Sequence, residues 1–218
     1  MDLAAIVDLR RCNERRREPS KRWAGFSVPV IENSIDGFSS CADDPYVRLL
    51  LEYDGSTTAL HTFMIHFYRS TPFERRYVDL FSRYIRAVAT TQRPVLMHCG
   101  AGKDRTGILA ALTLELLGAH RDDAMRDYLL TNEHAFQAAE LEANAQWIHQ
   151  LCGRWPTAAF TQFVMAVSPD YLTEFYRVID DAGGAERYTE TVLSVPPETI
   201  ALLRRQLVEA CVDDEAIA

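Results

Sequence analysis

A cysteine, an arginine and three glycines fall together in the stretch His98-Cys99-Gly100-Ala101-Gly102-Lys103-Asp104-Arg105-Thr106-Gly107, and each residue type brings a different part of phosphate chemistry. Gly100, Gly102 and Gly107 let the backbone coil tightly with its N–H groups pointing inward, a concave nest that binds anions. Gly100, Ala101 and Gly102 supply its amide wall and Lys103 a cationic rim. Cys99 stands at the floor, where converging N–H dipoles favour the thiolate. Arg105 lies six positions on, and its planar guanidinium can curl back to grip two phosphate oxygens, a geometry that lysine lacks. A thiolate facing a phosphate neutralised in this way can attack phosphorus in line, displace an alcohol and form a cysteinyl phosphate that water then hydrolyses. Thr106 can donate a hydrogen bond to the sulfur and help it leave in the second step, and His98 orders the loop through its ring N–H.

Such a loop must be held by regular elements. Pro94-Val95-Leu96-Met97 reads as a buried strand feeding straight into Cys99, and Ile108 to Leu117, apolar on several sides, as a buried helix ended by Gly118. That helix starts at the nest and adds its positive end to it. Ala4 to Leu9 reads as a first buried strand and Phe26 to Ile31 as a second, weakened by Pro29. Leu60, Phe63, Met64, Phe67 and Tyr68, then Tyr77, Leu80, Phe81, Tyr84, Ile85 and Val88, follow helical spacing and predict two amphipathic core helices. Ser168-Pro169 opens another helix that ends at Gly183-Gly184, and Pro196-Pro197 opens the last. The expected fold class is α/β, a central, mostly parallel sheet flanked by helices, with a helix-rich C-terminal half. One domain over residues 1–218 is the economical reading, with a helical elaboration over about 132–165.

Charge and cysteine usage limit the partners. The 218 residues carry 23 basic and 31 acidic side chains, a formal charge of -8, which excludes a general electrostatic grip on nucleic acid or an anionic membrane. The longest apolar stretch, Gly107 to Ala119, is interrupted by Glu115 and falls short of the roughly 20 residues that span a bilayer. No signal peptide is visible, and five scattered cysteines suit a reducing compartment, so a soluble cytoplasmic protein is expected. Arg10, Arg11, Arg15, Arg16, Arg17, Lys21 and Arg22 form a basic run. It reads as a solvated helix face, with a phosphoinositide headgroup site as the competing reading and Arg10 nearest the strand end and the cup.

The loop resembles the Cys-x5-Arg signature of the cysteine-dependent protein tyrosine phosphatases. In detail it is similar to the bacterial branch that includes the mycobacterial secreted type, some members of which also act on phosphoinositides. Ile6-Val7-Asp8-Leu9-Arg10 with Glu14, Asp127 to Asn132, and Ala185-Glu186-Arg187-Tyr188 with Leu203-Arg204 extend the likeness over most of the chain. The resemblance implies a metal-independent phosphomonoester hydrolase that needs no cofactor, acts on phosphotyrosine protein and also on phosphoserine, phosphothreonine or phosphoinositides, and is inhibited by phosphate or vanadate. It further implies that a segment preceding the first strand in the family is missing here, and that the 132–165 region is a lid over the site; an extra core layer is the alternative.

The leaving oxygen needs a proton, and a well-placed acid speeds that step about a hundredfold or more. The Trp-Pro-Asp loop of the animal enzymes is absent, since Trp155-Pro156 follows Cys99 and continues with Thr157. The resemblance points instead to Asp104, whose competing role is to cap the next helix; Glu32 and Asp36 are the alternative acids. It also implies that Lys103 touches a second phosphate or an acidic flank of the substrate. A nucleotide-binding Gly-x4-Gly-Lys-Ser/Thr loop fails, because Met97 and Asp104 stand where Gly and Ser or Thr are needed. Rhodanese-like sulfur transfer does not call for the Lys-Asp-Arg-Thr-Gly continuation, and the six histidines and five cysteines show no metal-ligand spacing. A catalytically weak phosphate- or phosphoinositide-binding module is the alternative from another class.

Overall fold

The computed structural model describes residues 2–35, 45–52 and 57–208. Three short strands, β1 (Ala5–Asp8), β2 (Val30–Ile31) and β3 (Val95–His98), form a parallel sheet in the order β2-β1-β3. Ala5 pairs with Val95 and Asp8 with His98 on one side of β1, Ile6 with Val30 and Val7 with Ile31 on the other. Parallel strands need long crossovers, usually helical. α1 (Cys12–Arg17) lies in the first; α2 (Pro45–Leu51), α3 (Thr58–Ser70), a 3-10 turn at Thr71–Phe73 and α4 (Arg75–Thr90) lie in the second. Everything described after β3 is helical or connecting: α5 (Asp104–Leu116), α6 (Arg121–Leu129), α7 (Thr131–Ala135), α8 (Ala138–Cys152), α9 (Ala158–Met165), α10 (Pro169–Asp181), α11 (Ala185–Thr191) and α12 (Pro197–Leu207).

The helices form where the apolar spacing predicts them. Tyr77, Leu80, Phe81 and Ile85 put one face of α4 against the sheet and α12, and each is fully buried. α5 buries Ile108, Leu109, Leu112 and Leu116 and ends as expected: Gly118 takes φ +87°, its N–H donates to the Glu115 carbonyl, and Ala119 N–H donates to Leu114. That pair of bonds closes the last turn of the helix. The second strand is shorter than the Phe26 to Ile31 expectation. Phe26 N–H closes a turn onto Trp23 through Gly25 at φ +76°, and Pro29 can offer β1 only its carbonyl, which accepts from Ile6 N–H at 2.9 Å.

The basic run also departs from a uniformly solvated face. Arg16, Arg17, Lys21 and Arg22 are exposed, whereas Arg10, Arg11 and Arg15 turn inward to carboxylates and carbonyls: Asp8 and the Glu18 carbonyl for Arg10, Glu74 for Arg11, Glu32 and the Asn33 carbonyl for Arg15. Over 132–165, Ile148, Phe160 and Val164 join the main apolar cluster and Trp147, Leu151 and Phe163 pack half-buried against it. Among the described residues no helix is long and apolar enough to cross a membrane.

Candidate active site

The loop begins where the β1–β3 ladder stops. Leu9 N–H donates to the His98 carbonyl at 2.8 Å, so the ladder fixes the chain up to the residue before Cys99. His98 Nδ1 donates to the Cys99 carbonyl at 3.1 Å, and its Nε2 lies 3.8 Å from Asp8 Oδ2, its register partner on β1. Cys99 is 6% exposed. Among the described residues, no backbone carbonyl accepts from the amides of Gly100, Ala101, Gly102 or Lys103. α5 begins at Asp104, with Lys103 as its cap and its first intrahelical bond running from Gly107 N–H to the Lys103 carbonyl, 2.8 Å. A run of unpaired N–H groups leading into a helix N-terminus is the arrangement that holds anions.

The three glycines serve three different ends. Gly102 adopts φ +70° with open space around a would-be Cβ, so its backbone conformation demands glycine. At Gly100 a Cβ would stand 3.1 Å from Glu14 Oε1 and 3.4 Å from Arg105 Nη2; at Gly107 it would press on the Tyr128 ring at 2.9 and 3.0 Å. Those two glycines admit close neighbours.

Glu14, on α1, proves to be the partner of Arg105. Its Oε2 accepts from Arg105 Nη1 at 2.6 Å and its Oε1 from Nη2 at 2.7 Å, while Arg11 N–H adds a third bond to Oε2 at 2.8 Å. Both side chains are about 15% exposed, 14% and 16%. Burial alone would push the Glu14 carboxyl up; the Arg105 charge and its hydrogen bonds outweigh it and hold the carboxyl at about 2. Burial works against the Arg105 charge as well, but Tyr77, Cys99 and Glu14 keep the guanidinium well above its ordinary range. Arg105 Nη1 also points at the Leu9 carbonyl, 3.4 Å away. Of five guanidinium N–H groups, Glu14 occupies the end of the fork and Leu9 the outer Nη1 position, leaving the edge formed by Nε and the outer Nη2 hydrogen.

Asp104 faces the other way. Its Oδ1 accepts from the Tyr68 hydroxyl on α3 at 3.0 Å, and its Oδ2 lies 3.0 Å from Lys103 Nζ. It is the first residue of α5 and makes no capping bond, so its carboxylate is spoken for by side chains and not by the helix end. Lys103, only 6% exposed, also donates to the Ala166 carbonyl at 3.2 Å, which makes it a buried tie and not a solvated rim. Thr106 lines a cavity of about 120 Å³ between α5 and α6, with Gly102, Lys103, Gly107, Asp127 and Tyr128. Its hydroxyl is buried with no hydrogen-bond partner, sulfur included.

The remaining expected residues lie apart. Arg10 is buried and committed to Asp8, with Nε at 2.9 Å from Oδ1 and Nη2 at 2.7 Å from Oδ2, and to the Glu18 carbonyl and Ser20 Oγ. Burial opposes the Asp8 charge, but these bonds carry its carboxyl below the usual range. This occupancy ties β1 to the segment after α1 and directs Arg10 away from a ligand. Glu32 pairs with Arg15 at 3.5 Å, its side chain 45% exposed, and Asp36 lies outside the described residues. No three His, Cys, Asp or Glu side chains among the described residues come together as a metal site requires. Tyr68 and Tyr128 read as core or helix positions in the sequence; their signal was a buried phenol that needs a hydrogen-bond partner.

Comparison with known proteins sets the chain beside tyrosine phosphatases. The profile of a tyrosine phosphatase family matches residues 1–209. A provisionally named tyrosine-protein phosphatase of Cupriavidus necator is 30% identical over 200 residues, 89% of this chain and 67% of that one. The triple specificity protein phosphatase PtpB of Mycobacterium tuberculosis is 29% identical over 213 residues, 85% of this chain and 75% of its own. A tyrosine-protein phosphatase of Nostoc commune is 44% identical over 46 residues, 21% of this chain and 16% of its own.

Proposed function

The chain belongs to the tyrosine phosphatase family, and on that premise we propose that it hydrolyses phosphotyrosine in proteins through a cysteinyl phosphate on Cys99. The observation that carries this reading is the pairing of unpaired loop amides with an Arg105 whose fork end is clamped by Glu14 while its Nε–Nη2 edge has no hydrogen-bond partner among the described residues. A phosphate in the loop takes the Gly100 to Lys103 amides and the Nε and outer Nη2 hydrogens of Arg105, which places phosphorus over Cys99. In the first step the Cys99 sulfur forms a bond to phosphorus as the bond to the tyrosyl oxygen breaks, and Asp104 gives that oxygen its proton. In the second, water attacks phosphorus, the sulfur leaves, and Asp104 takes the proton from water. The freed thiolate ends where it began.

We place the chain in the bacterial branch whose signature reads His-Cys-x-Ala-Gly-Lys-Asp-Arg-Thr-Gly, and phosphoserine, phosphothreonine and phosphoinositides count as secondary substrates. The breadth stated in the name of the mycobacterial relative supports that extension. The test is a panel of phosphotyrosine, phosphoserine and phosphoinositide substrates given to the wild-type chain and to Cys99→Ser. Phosphate release from phosphotyrosine peptide that vanishes in the variant and is blocked by vanadate is expected. Binding of phosphopeptide with no release by the wild type would replace the enzyme with a phosphate-binding module.

A further inference from the structure

Beside the loop runs a chain of buried hydroxyls that the reaction as described does not use. Tyr68, on α3, is fully buried, and its hydroxyl donates to Asp104 Oδ1 at 3.0 Å and lies 2.8 Å from the Tyr128 hydroxyl of α6. The carboxylate accepts only, so the Tyr68 proton points to Asp104 and Tyr128 donates to Tyr68. The Ser168 amide in turn faces the Tyr128 oxygen. On the opposite oxygen, Oδ2, sits the Lys103 ammonium. The Tyr128 ring reaches this position only because residue 107 has no Cβ.

We infer that Tyr68, backed by Tyr128, is a positioning residue that pins Asp104 Oδ1, so that Oδ2, beside Lys103 Nζ, is the oxygen that gives and takes the catalytic proton. The inference rests on the assignment of Asp104 as the acid. A carboxylic acid free to rotate divides its proton between two oxygens and several directions, whereas one whose Oδ1 is held by a phenol presents a single oxygen to the leaving group. Burial, then the negative charge of Asp104, lift Tyr68 far above the ordinary phenol range, so Tyr68 remains a donor at every working pH. The groups facing Asp104 are Lys103 beside it, Tyr68 from α3, Tyr128 from α6 and Tyr171 from α10, the last pushed up to about 12 by burial and by Asp104 itself. Loss of the Tyr68 donor removes a hydrogen bond that favours the charged form of Asp104.

Tyr68→Phe keeps the ring and deletes the bond. With phenyl phosphate, whose leaving group needs the proton, kcat should fall about tenfold, and with nitrophenyl phosphate it should stay within about twofold. The basic limb of kcat/KM should move to higher pH. Tyr128→Phe should give the same signature at smaller size and guards against a folding defect at position 68. Equal loss on both substrates with an unmoved limb would make Tyr68 a packing residue and overturn the inference. Asp104→Asn, run in parallel, tests the underlying assignment: loss confined to phenyl phosphate upholds Asp104 as the acid, and equal loss on both esters removes it and the role of Tyr68 with it.

Discussion

Asp104 and Arg105 are adjacent in the chain, yet the fold ties them to opposite flanks of one loop by different chemistry. Arg105 meets Glu14 of α1 through two bonds of 2.6 and 2.7 Å, and opposing charge and hydrogen bonding outweigh burial and keep both groups ionised at neutral pH. Asp104 meets Tyr68 of α3 through one neutral donor and Lys103 through one cation, each at 3.0 Å. The α1 flank holds a guanidinium paired with a carboxylate, and the α3 flank a carboxylate faced by a phenol and an ammonium. In the proposed reaction phosphate binding uses the first and proton transfer the second, and the first turn of α5 turns these neighbouring side chains to different sides. The expected consequence is that damage on the α1 flank is indifferent to the leaving group and damage on the α3 flank is not.

The sharpest break of this contrast is Arg105→Lys. Charge remains, but neither the Glu14 fork nor the phosphate edge can be matched by an ammonium. kcat/KM should fall by about a hundredfold or more, and by the same factor for phenyl and nitrophenyl phosphates; a loss that depends on the leaving group would erase the distinction between flanks.

Glu14→Gln comes next. The carboxyl titrates at about 2 in the folded chain against an ordinary 4.5, which at neutral pH corresponds to about 3 kcal/mol of stability. A depressed carboxyl contributes above its unfolded value and loses that contribution as pH falls through the folded one. The unfolding free-energy gap between wild type and Glu14→Gln, measured by urea melts, should therefore be largest near pH 7 and close between about pH 4.5 and 2. A gap independent of pH would show that the pair is not the source of the stability.

The smallest effect belongs to Gly107→Ala. A methyl 2.9 Å from the Tyr128 ring forces α6 or the ring to shift, at a cost of about 1–3 kcal/mol, and loosens the Tyr128 bond to Tyr68. Thermal melts should show the loss of stability, and phenyl phosphate turnover should fall more than nitrophenyl phosphate turnover. An equal fall would place Gly107 on the packing side alone.

What the sequence made legible follows from how local each signal is. β1, β3, α3, α4, α5, α10 and α12 were readable because apolar period and end signals lie within each element, as Gly118 and Ser168-Pro169 illustrate. Cys99 and Arg105 could be put forward as candidates because the loop is contiguous. Its other half was not. Glu14 lies 91 residues from Arg105 in sequence, and Tyr68 lies 36 from Asp104, distances at which no spacing rule speaks. Tyr68 sits in an aromatic stripe that predicts a core helix correctly and says nothing of where its hydroxyl goes. For Arg10, Arg11 and Arg15 a local charge run suggested solvent, while their partners Asp8, Glu74 and Glu32 come from two strands' ends and a helix cap.

The central claim is nucleophilic attack by the Cys99 sulfur, and it is tested most directly by acid-quenching the chain in the first turnovers of a phosphotyrosine peptide and mapping phosphate by mass spectrometry. One phosphoryl group on Cys99, lost on further incubation and absent from Cys99→Ser, is the expected result. Turnover with no phosphoryl group on Cys99, continuing at the same rate in Cys99→Ser, would contradict it.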